Sequence, residues 1–292
     1  MAKTEEEKAG KRANEDRARV GVSGNAAPPL SVADARGNSA PPLPVADARG
    51  NSASPLSAAG AKAAGAGFDW RSFDAYLFDI DGTLLNSRDG VHYEAFMLAM
   101  REMYGRQVGM DGVPVQGSTD PIILLAALER AGVCEAEGRA GLDEAMARMC
   151  AEVEARADEL RPELCGAVPR LLAELRSAGK LLGVTSGNIE RIGWAKLKAA
   201  GIGEYFSFGS FSDRNESRTE IFRWGAEEAK RRLGGEARVC FVGDTPADVA
   251  SAKACGFPVI AVATGIFSTM ELAKGEPEMC IPGCEALWGD AR

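Results

Sequence analysis

Four short apolar runs, each ending in polar or small residues, constrain the fold of this chain most strongly. They are AYLFDID (75 to 81), LLGVTSG (181 to 187), VCFVGD (239 to 244) and PVIAVATG (258 to 265). Such runs are typical of strands buried on both faces. Between them lie the helix-like segments VPRLLAELRSAG, EIFRWGAEEAKRRLG and PADVASAKACG. This alternation predicts an α/β fold: a Rossmann-like parallel sheet with helices on both faces.

A long helix-like stretch, residues 88 to 162, interrupts the alternation after the first apolar run. The segments HYEAFMLAMREMYG, DPIILLAALERAG and LDEAMARMCAEVEARADEL carry apolar residues three and four positions apart, as an amphipathic helix requires. We therefore expect an inserted helical cap domain above the carboxyl edge of the sheet, where it can act as a lid. The catalytic core would consist of residues 67 to 87 and 163 to 292.

The segment before the core has a different composition. PPLSVADARGNSA (28 to 40) recurs as PPLPVADARGNSA (41 to 53), and residues 1 to 66 contain no aromatic residue. A segment this rich in Pro, Ala, Gly and Ser buries too little apolar surface to offset the entropy lost on ordering. We predict a disordered tail over residues 1 to 66.

Charge and cysteine content limit the partners and the compartment. The formal net charge of -8 disfavours nucleic acid and anionic membranes, which attract clustered Lys and Arg. No apolar run approaches the roughly 18 residues of a membrane helix, so a cytoplasmic location is the default expectation. Seven scattered cysteines suit reduced thiols, and Cys280 and Cys284 are expected to pack rather than to hold a metal.

Two carboxylates leave the first apolar run at nearly the same point. Asp79 and Asp81 are two positions apart, so on a strand their side chains lie on the same side. Two converging like charges need a cation or a shared proton to relieve their repulsion. The alternative is a strand end followed by an ordinary Asp-Gly turn.

The third apolar run ends in a second acidic pair. Asp244 closes the strand and Asp248 follows four residues later, although Asp248 alone also suits the first turn of a helix. Carboxylates delivered by two strands of one parallel sheet form a hard-oxygen cluster suited to Mg²⁺. The hydroxyls of Thr185 and Ser186, at the end of the second run, are candidates for binding phosphate oxygens.

These motifs resemble those of the haloacid dehalogenase superfamily, in the branch similar to phosphoglycolate phosphatases. The first motif is matched by residues 79 to 83 (DIDGT), the second by Thr185 and the fourth by residues 243 to 248 (GDTPAD). The resemblance spans about residues 74 to 275. It implies that Asp79 attacks phosphorus and that Mg²⁺ is held by Asp79, the backbone carbonyl of Asp81 and Asp244, with Asp248 supporting the metal shell. Asp81 would serve as acid and then base, and Thr185 would bind a phosphoryl oxygen.

The family also places a basic residue, normally lysine, between its second and fourth motifs. The loop SDRNESRTEIF contains no lysine, so we expect arginine to supply the charge there, with Arg214 as first choice for catalysis and phosphate binding and Arg218 as second. Arginine carries the charge and can bond phosphate with two N–H groups, but it is not equivalent to lysine. Lys196 and Lys198 on the helix after Thr185 remain alternatives.

The resemblance implies a Mg²⁺-dependent phosphatase acting on a small phosphorylated metabolite such as phosphoglycolate, in a monomer or homodimer. The same aspartates also serve sugar-phosphate mutases of the beta-phosphoglucomutase type. A catalytically weak binding protein of the same fold is a further alternative. In the cap, residues 117 to 120 (GSTD) are either the start of a helix or a loop reaching over the substrate.

Overall fold

A computed structural model describes residues 68 to 107 and 109 to 288. The predicted tail, residues 1 to 66, lies outside the described residues. Within the described part, no helix is long and apolar enough to cross a membrane.

The centre of the fold is a parallel sheet of six strands, in the order β5-β4-β1-β6-β7-β8. The six strands are β1 Ala75–Phe78, β4 Leu181–Thr185, β5 Gly209–Ser210, β6 Val239–Gly243, β7 Val259–Val262 and β8 Met279–Ile281. The four apolar runs form β1, β4, β6 and β7, which occupy the interior of the sheet. In the register, Phe78 lies between Val184 and Val242. The residues that follow these three strands therefore meet at one edge of the sheet.

Helices cover both faces of this sheet because side chains alternate along each strand. Tyr76 and Phe78 of β1 pack in one apolar cluster with Leu172, whereas Leu77 packs in another with Phe222. The helices of the core are α5 Val168–Ser177, α6 Glu190–Ala199, α7 Arg218–Leu233, α8 Pro246–Ala254 and α9 Thr269–Ala273.

Four helices lie between β1 and α5 along the chain, and two short antiparallel strands flank them. Strand β2 Leu85–Ser87 pairs with β3 Pro162–Leu164. The helices are α1 Val91–Tyr104, α2 Asp120–Arg130, α3 Glu135–Ala140 and α4 Leu142–Ala155. They enclose an apolar cluster of their own, which Ile189 and Ile192 of the core extend. The fold class predicted from the sequence, a parallel α/β core with inserted helices, is confirmed.

Candidate active site

Three buried carboxylates converge at the carboxyl edge of the sheet. Asp79 follows β1, Asp244 follows β6, and Asp248 lies in the first turn of α8. Each offers a carboxylate oxygen within 4.8 Å of the others. The parallel pairing of β1 with β6 produces this proximity, and the Asp79 N–H donates to the carbonyl of Val242 at 2.9 Å.

Two glycines allow the backbone to close around Asp244. Gly82 has φ of 87°, and a Cβ there would lie 2.2 Å from Asp244 Oδ2. At Gly265 the corresponding distance is 1.9 Å. The Thr83 hydroxyl donates to Asp244 Oδ1 at 2.9 Å. Asp81 and Gly82, after β1, therefore form a turn, and Gly82 also lines the acidic site.

Asp248 combines the two roles that its sequence position suggests. Its Oδ2 accepts from the N–H and hydroxyl of Thr245 at 3.0 and 2.7 Å. The Asp248 N–H donates back to Thr245 Oγ1 at 3.1 Å, which completes a capping box at the start of α8. Its other oxygen, Oδ1, accepts from Arg218. One oxygen thus caps the helix while the other belongs to the acidic site.

Burial, reinforced by neighbouring negative charge, raises the pKa of two carboxyls. Burial raises the pKa of Asp79 to about 7; Arg218 opposes the rise, and the carboxylates of Asp248 and Asp81 add to it. Burial and repulsion from Asp79 raise the pKa of Asp244 to about 8. A proton or a cation is needed to keep these groups together at neutral pH.

The acidic group fits a divalent cation. All three side chains offer carboxylate oxygens, the ligands that Mg²⁺ prefers. Burial and neighbouring carboxylates raise the pKa of Asp79 and of Asp244, as expected for acidic groups that lack a cation. Among the described residues this is the one group of His, Cys, Asp or Glu side chains close enough to share a metal ion. The carboxylate of Asp81 lies outside the group; the prediction for Asp81 concerned its backbone carbonyl. Cys280 and Cys284 are free thiols, and neither belongs to the metal-binding group found within the described residues.

Arg218 supplies the buried positive charge. Its Nη2 lies 2.9 Å from Asp79 Oδ1 and 2.5 Å from Asp248 Oδ1, and its side chain is 9% exposed. Arg218 is the first residue of α7, whose N-terminus Ser217 caps by accepting from the Glu220 N–H. The helix start therefore aims the guanidinium at the carboxyl edge.

The structure places Arg214, the first choice for this role, away from the three carboxylates. Its side chain is exposed and lines a surface depression beside Pro121 and Leu142. It lies in the loop before α7, four residues before Arg218, and within the described part of the chain it forms no ion pair with the acidic site. The contacts favour Arg218 as the basic residue.

Asp81 is bound by a second buried cation, Lys196 of α6. The Lys196 ammonium donates to Asp81 Oδ1 at 2.9 Å and to Oδ2 at 2.7 Å. Asn188 Nδ2 donates to Asp81 Oδ2 at 2.7 Å. Burial acts to raise the pKa of Asp81, but Lys196 and Asn188 outweigh it and hold that pKa below its ordinary value. The alternative Lys198 is exposed on the opposite side of the helix.

Sequence reasoning did not find the contact between Lys196 and Asp81, and it gave Asn188 no role of its own. The sequence feature that could have revealed it is the position of Lys196 on the apolar stripe of α6, four residues after the buried Ile192 and three after the buried Gly193. A lysine on a buried helix face needs an acidic partner.

The hydroxyls after β4 differ in their contacts. Thr185 is fully buried, and its Oγ1 has no hydrogen-bond partner among the described residues. The Ser186 hydroxyl accepts from Asn188 Nδ2 at 2.8 Å. Thr185 therefore has an unused donor at the end of its strand, whereas Ser186 already supports Asn188.

The loop before α2 joins the inserted helices to the site. Thr119 is the N-cap residue of α2, and its hydroxyl donates to the carbonyl of Glu216 at 2.9 Å. The Asp120 N–H donates to the carbonyl of Gly187, and Asp120 Oδ2 accepts from the Ile189 N–H, both at 2.8 Å. Asp120 Oδ2 also lies 3.2 Å from His92 Nε2. Residues 117 to 120 lead into α2, as the helix-start interpretation predicts, and they also contact the loop after β4.

The comparisons with known proteins agree with this geometry. The family model of haloacid dehalogenase-like hydrolases matches residues 73 to 256. This chain belongs to the haloacid dehalogenase-like hydrolases. The predicted superfamily, and with it the prediction of a hydrolase, is confirmed.

The chain is similar to curated proteins that carry phosphatase names. The chain is 28% identical to the probable phosphatase IndB of Dickeya dadantii over 230 residues, which are 74% of this chain and 92% of the relative. It is 32% identical to a phosphoglycolate phosphatase of Mesorhizobium japonicum over 117 residues, 40% of this chain and 51% of the relative.

Among solved structures, a predicted phosphoglycolate phosphatase from Haemophilus somnus has a TM-score of 0.57 at 18% identity, covering 75% of this chain and 98% of its own. A beta-phosphoglucomutase from Clostridium difficile has a TM-score of 0.51 at 17% identity, covering 69% and 88%. These likenesses show the shared fold.

Proposed function

We propose that this hydrolase is a Mg²⁺-dependent phosphatase that cleaves a small phosphate monoester through an aspartyl-phosphate on Asp79. The observation that supports the proposal is the placement of one carboxylate, Asp79, beside an acidic cation site and a buried guanidinium. The phosphatase names of the two curated relatives support the same enzyme class.

In this proposal Asp79 is the nucleophile. An oxygen of Asp79 forms a bond to phosphorus while the bond from phosphorus to the alcohol oxygen breaks. Arg218 and the Thr185 hydroxyl would bond phosphoryl oxygens as charge redistributes. Asp79, Asp244 and Asp248 would hold Mg²⁺, which supplies positive charge for the phosphoryl oxygens.

Asp81 would transfer the protons of both half-reactions. It donates a proton to the departing alcohol oxygen, and the resulting carboxylate then accepts a proton from the water that attacks the aspartyl-phosphate. That attack releases inorganic phosphate and restores Asp79. Each group thus returns to its starting state after one turnover.

We infer the substrate class from a curated relative and from the inserted helices. Phosphoglycolate is the leading candidate because a phosphoglycolate phosphatase is among the relatives. The helices α1 to α4 join the core beside the site through Thr119 and Asp120, an arrangement suited to enclosing a small ligand.

The test is phosphate release from a panel of small phosphate esters, with Mg²⁺ or with EDTA. We expect release that depends on metal and that falls by at least about 10³-fold in Asp79→Asn, since that variant removes the nucleophile. Asp111→Asn, which alters an exposed carboxylate, is the control and should retain activity. Transfer of phosphate within a sugar phosphate, without net release, would instead indicate a mutase.

A further inference from the structure

The carboxylate of Asp244 is held at both of its oxygens. Oδ1 accepts a hydrogen bond from the Thr83 hydroxyl at 2.9 Å. Oδ2 lies against the backbone of Gly82 and of Gly265, where an added Cβ would come within 2.2 and 1.9 Å of it. Oδ2 therefore occupies a narrow slot, which we call the Asp244 slot, with Gly82 on one wall and Gly265 on the other.

The two walls of the Asp244 slot follow strands that do not pair with each other. Gly82 lies in the turn after β1 and Gly265 in the loop after β7, whereas β6, which carries Asp244, lies between those two strands in the sheet. The ladders of β6 with β1 and with β7 fix the strands themselves. The loops beyond the strand ends need a further contact to set the distance between the two walls.

The Thr264 hydroxyl makes such a contact. It donates to the carbonyl of Gly82 at 2.6 Å, near the short end of the range for O–H···O hydrogen bonds. Thr264 directly precedes Gly265 in the chain. This hydrogen bond therefore joins one wall of the Asp244 slot to the other.

Other contacts between these segments are longer. Cys165 Sγ lies 3.8 Å from the carbonyl oxygen of Gly82, and Asn86 Nδ2 lies 3.5 Å from the carbonyl oxygen of Thr264. A thiol is a weak donor, and hydrogen bonds weaken as they lengthen. The Thr264 hydroxyl therefore makes the strongest of these three contacts.

We propose that Thr264 is a positioning residue for Mg²⁺ binding. By joining the walls of the Asp244 slot, its hydroxyl holds the Asp244 carboxylate in place beside the other two carboxylates. The inference rests on the proposed function, in which Asp244 is a ligand of Mg²⁺, and it adds a residue that acts through that ligand. Because Mg²⁺ requires near-ideal octahedral geometry, a carboxylate that can move in a wider slot would bind it less tightly.

The variant Thr264→Val tests the proposal because it removes the hydroxyl and keeps the shape of the side chain. The Kd for Mg²⁺ is obtained from the rise in Tm with Mg²⁺ concentration, relative to EDTA, a measurement that requires no turnover. We expect this Kd to increase about 10-fold, the lower end of the usual range for groups that orient metal ligands. The Mg²⁺ concentration for half-maximal phosphate release should increase with it, while kcat at saturating Mg²⁺ stays close to that of the unaltered protein.

Matched variants separate the hydroxyl from other effects of substitution. Thr264→Ser keeps the donor and should restore a Kd near that of the unaltered protein, whereas Thr264→Ala lacks it and should not. This pair also tests the same hydrogen bond if Thr264→Val does not fold. Thr269→Val removes a threonine hydroxyl at the start of α9, outside the Asp244 slot, and should leave the Kd unchanged.

A lower Tm in EDTA with an unchanged Kd for Mg²⁺ would show that the hydrogen bond merely stabilises the fold, and would overturn the inference. An equal increase in Kd for Thr264→Ser and Thr264→Ala would overturn it as well, since the hydroxyl would then be irrelevant. Failure of the proposed function looks different: the unaltered protein itself would show neither a rise in Tm with Mg²⁺ nor phosphate release, and both proposals would fall together.

Discussion

Arg218 and Arg214 lie four residues apart, but only Arg218 is buried among carboxylates. Arg218→Ala would leave Asp79 and Asp248 without their common partner. Removing one partner of a buried ion pair usually lowers the free energy of unfolding by about 3 kcal/mol or more. We expect a loss of that size in urea unfolding without Mg²⁺, together with loss of phosphate release.

Arg214→Ala is the matched control. An exposed side chain away from buried contacts changes the free energy of unfolding by roughly 0.5 kcal/mol or less, and activity should stay near that of the unaltered protein. The assignment of Arg218 would be wrong if the Arg214 variant lost activity and the Arg218 variant kept it.

The sequence identified the aspartates more reliably than the cations, for a physical reason. Asp79 and Asp244 directly follow strands, and parallel pairing fixes where strand ends lie. An arginine or lysine side chain is long, and its reach depends on the helix turn from which it starts. Arg218 begins α7 and Lys196 lies on the inner face of α6. Where these side chains reach depends on how the two helices pack on the sheet, which the sequence does not show.

At the scale of elements, the interior strands were predictable because each is a continuous apolar run. The edge strands β5 and β8 have only two and three residues, and they form because a neighbouring strand offers hydrogen-bonding groups. Their sequences, Gly209–Ser210 and Met279–Ile281, are too short to carry a period. Such strands depend on tertiary context rather than on local pattern.

The junction between the loop before α2 and the loop after β4 yields a prediction for an element. Asp120→Ala removes the acceptor of the buried Ile189 N–H and the contact with His92. An unpaired buried donor costs about 1–3 kcal/mol. We expect the free energy of unfolding to fall by that amount in urea, and KM to rise because α2 is held less firmly against the site.

Asp143→Ala gives the comparison for this junction. Asp143 also lies in the first turn of a helix, α4, but is exposed, so it reports the effect of removing a first-turn carboxylate alone. If both variants had the same small effect on stability and KM, Asp120 would act through the helix dipole and not through the junction.

For the whole molecule, the acidic site links stability to pH and metal. The pKa values of Asp79 and Asp244 rise from an ordinary 3.8 to about 7 and about 8 because of burial and mutual repulsion. Between about pH 4 and pH 8 the folded protein therefore binds more protons than the unfolded chain. The slope of the unfolding free energy with pH is proportional to the number of protons bound by the unfolded chain minus the number bound by the folded protein. That difference is negative here, so this contribution to stability falls as pH rises.

Magnesium should counteract this loss because it replaces the protons. Carboxylates bind metal in their deprotonated form, so binding is tighter at pH 8 than at pH 5, and a ligand that binds only the folded state raises stability. We expect Mg²⁺ to raise Tm over the value in EDTA, with a larger shift at pH 8 than at pH 5, measured by thermal unfolding. Asp244→Asn should reduce both the pH dependence in EDTA and the Mg²⁺ shift. Equal Mg²⁺ shifts at the two pH values, unchanged in Asp244→Asn, would place the stabilising ion elsewhere on the protein.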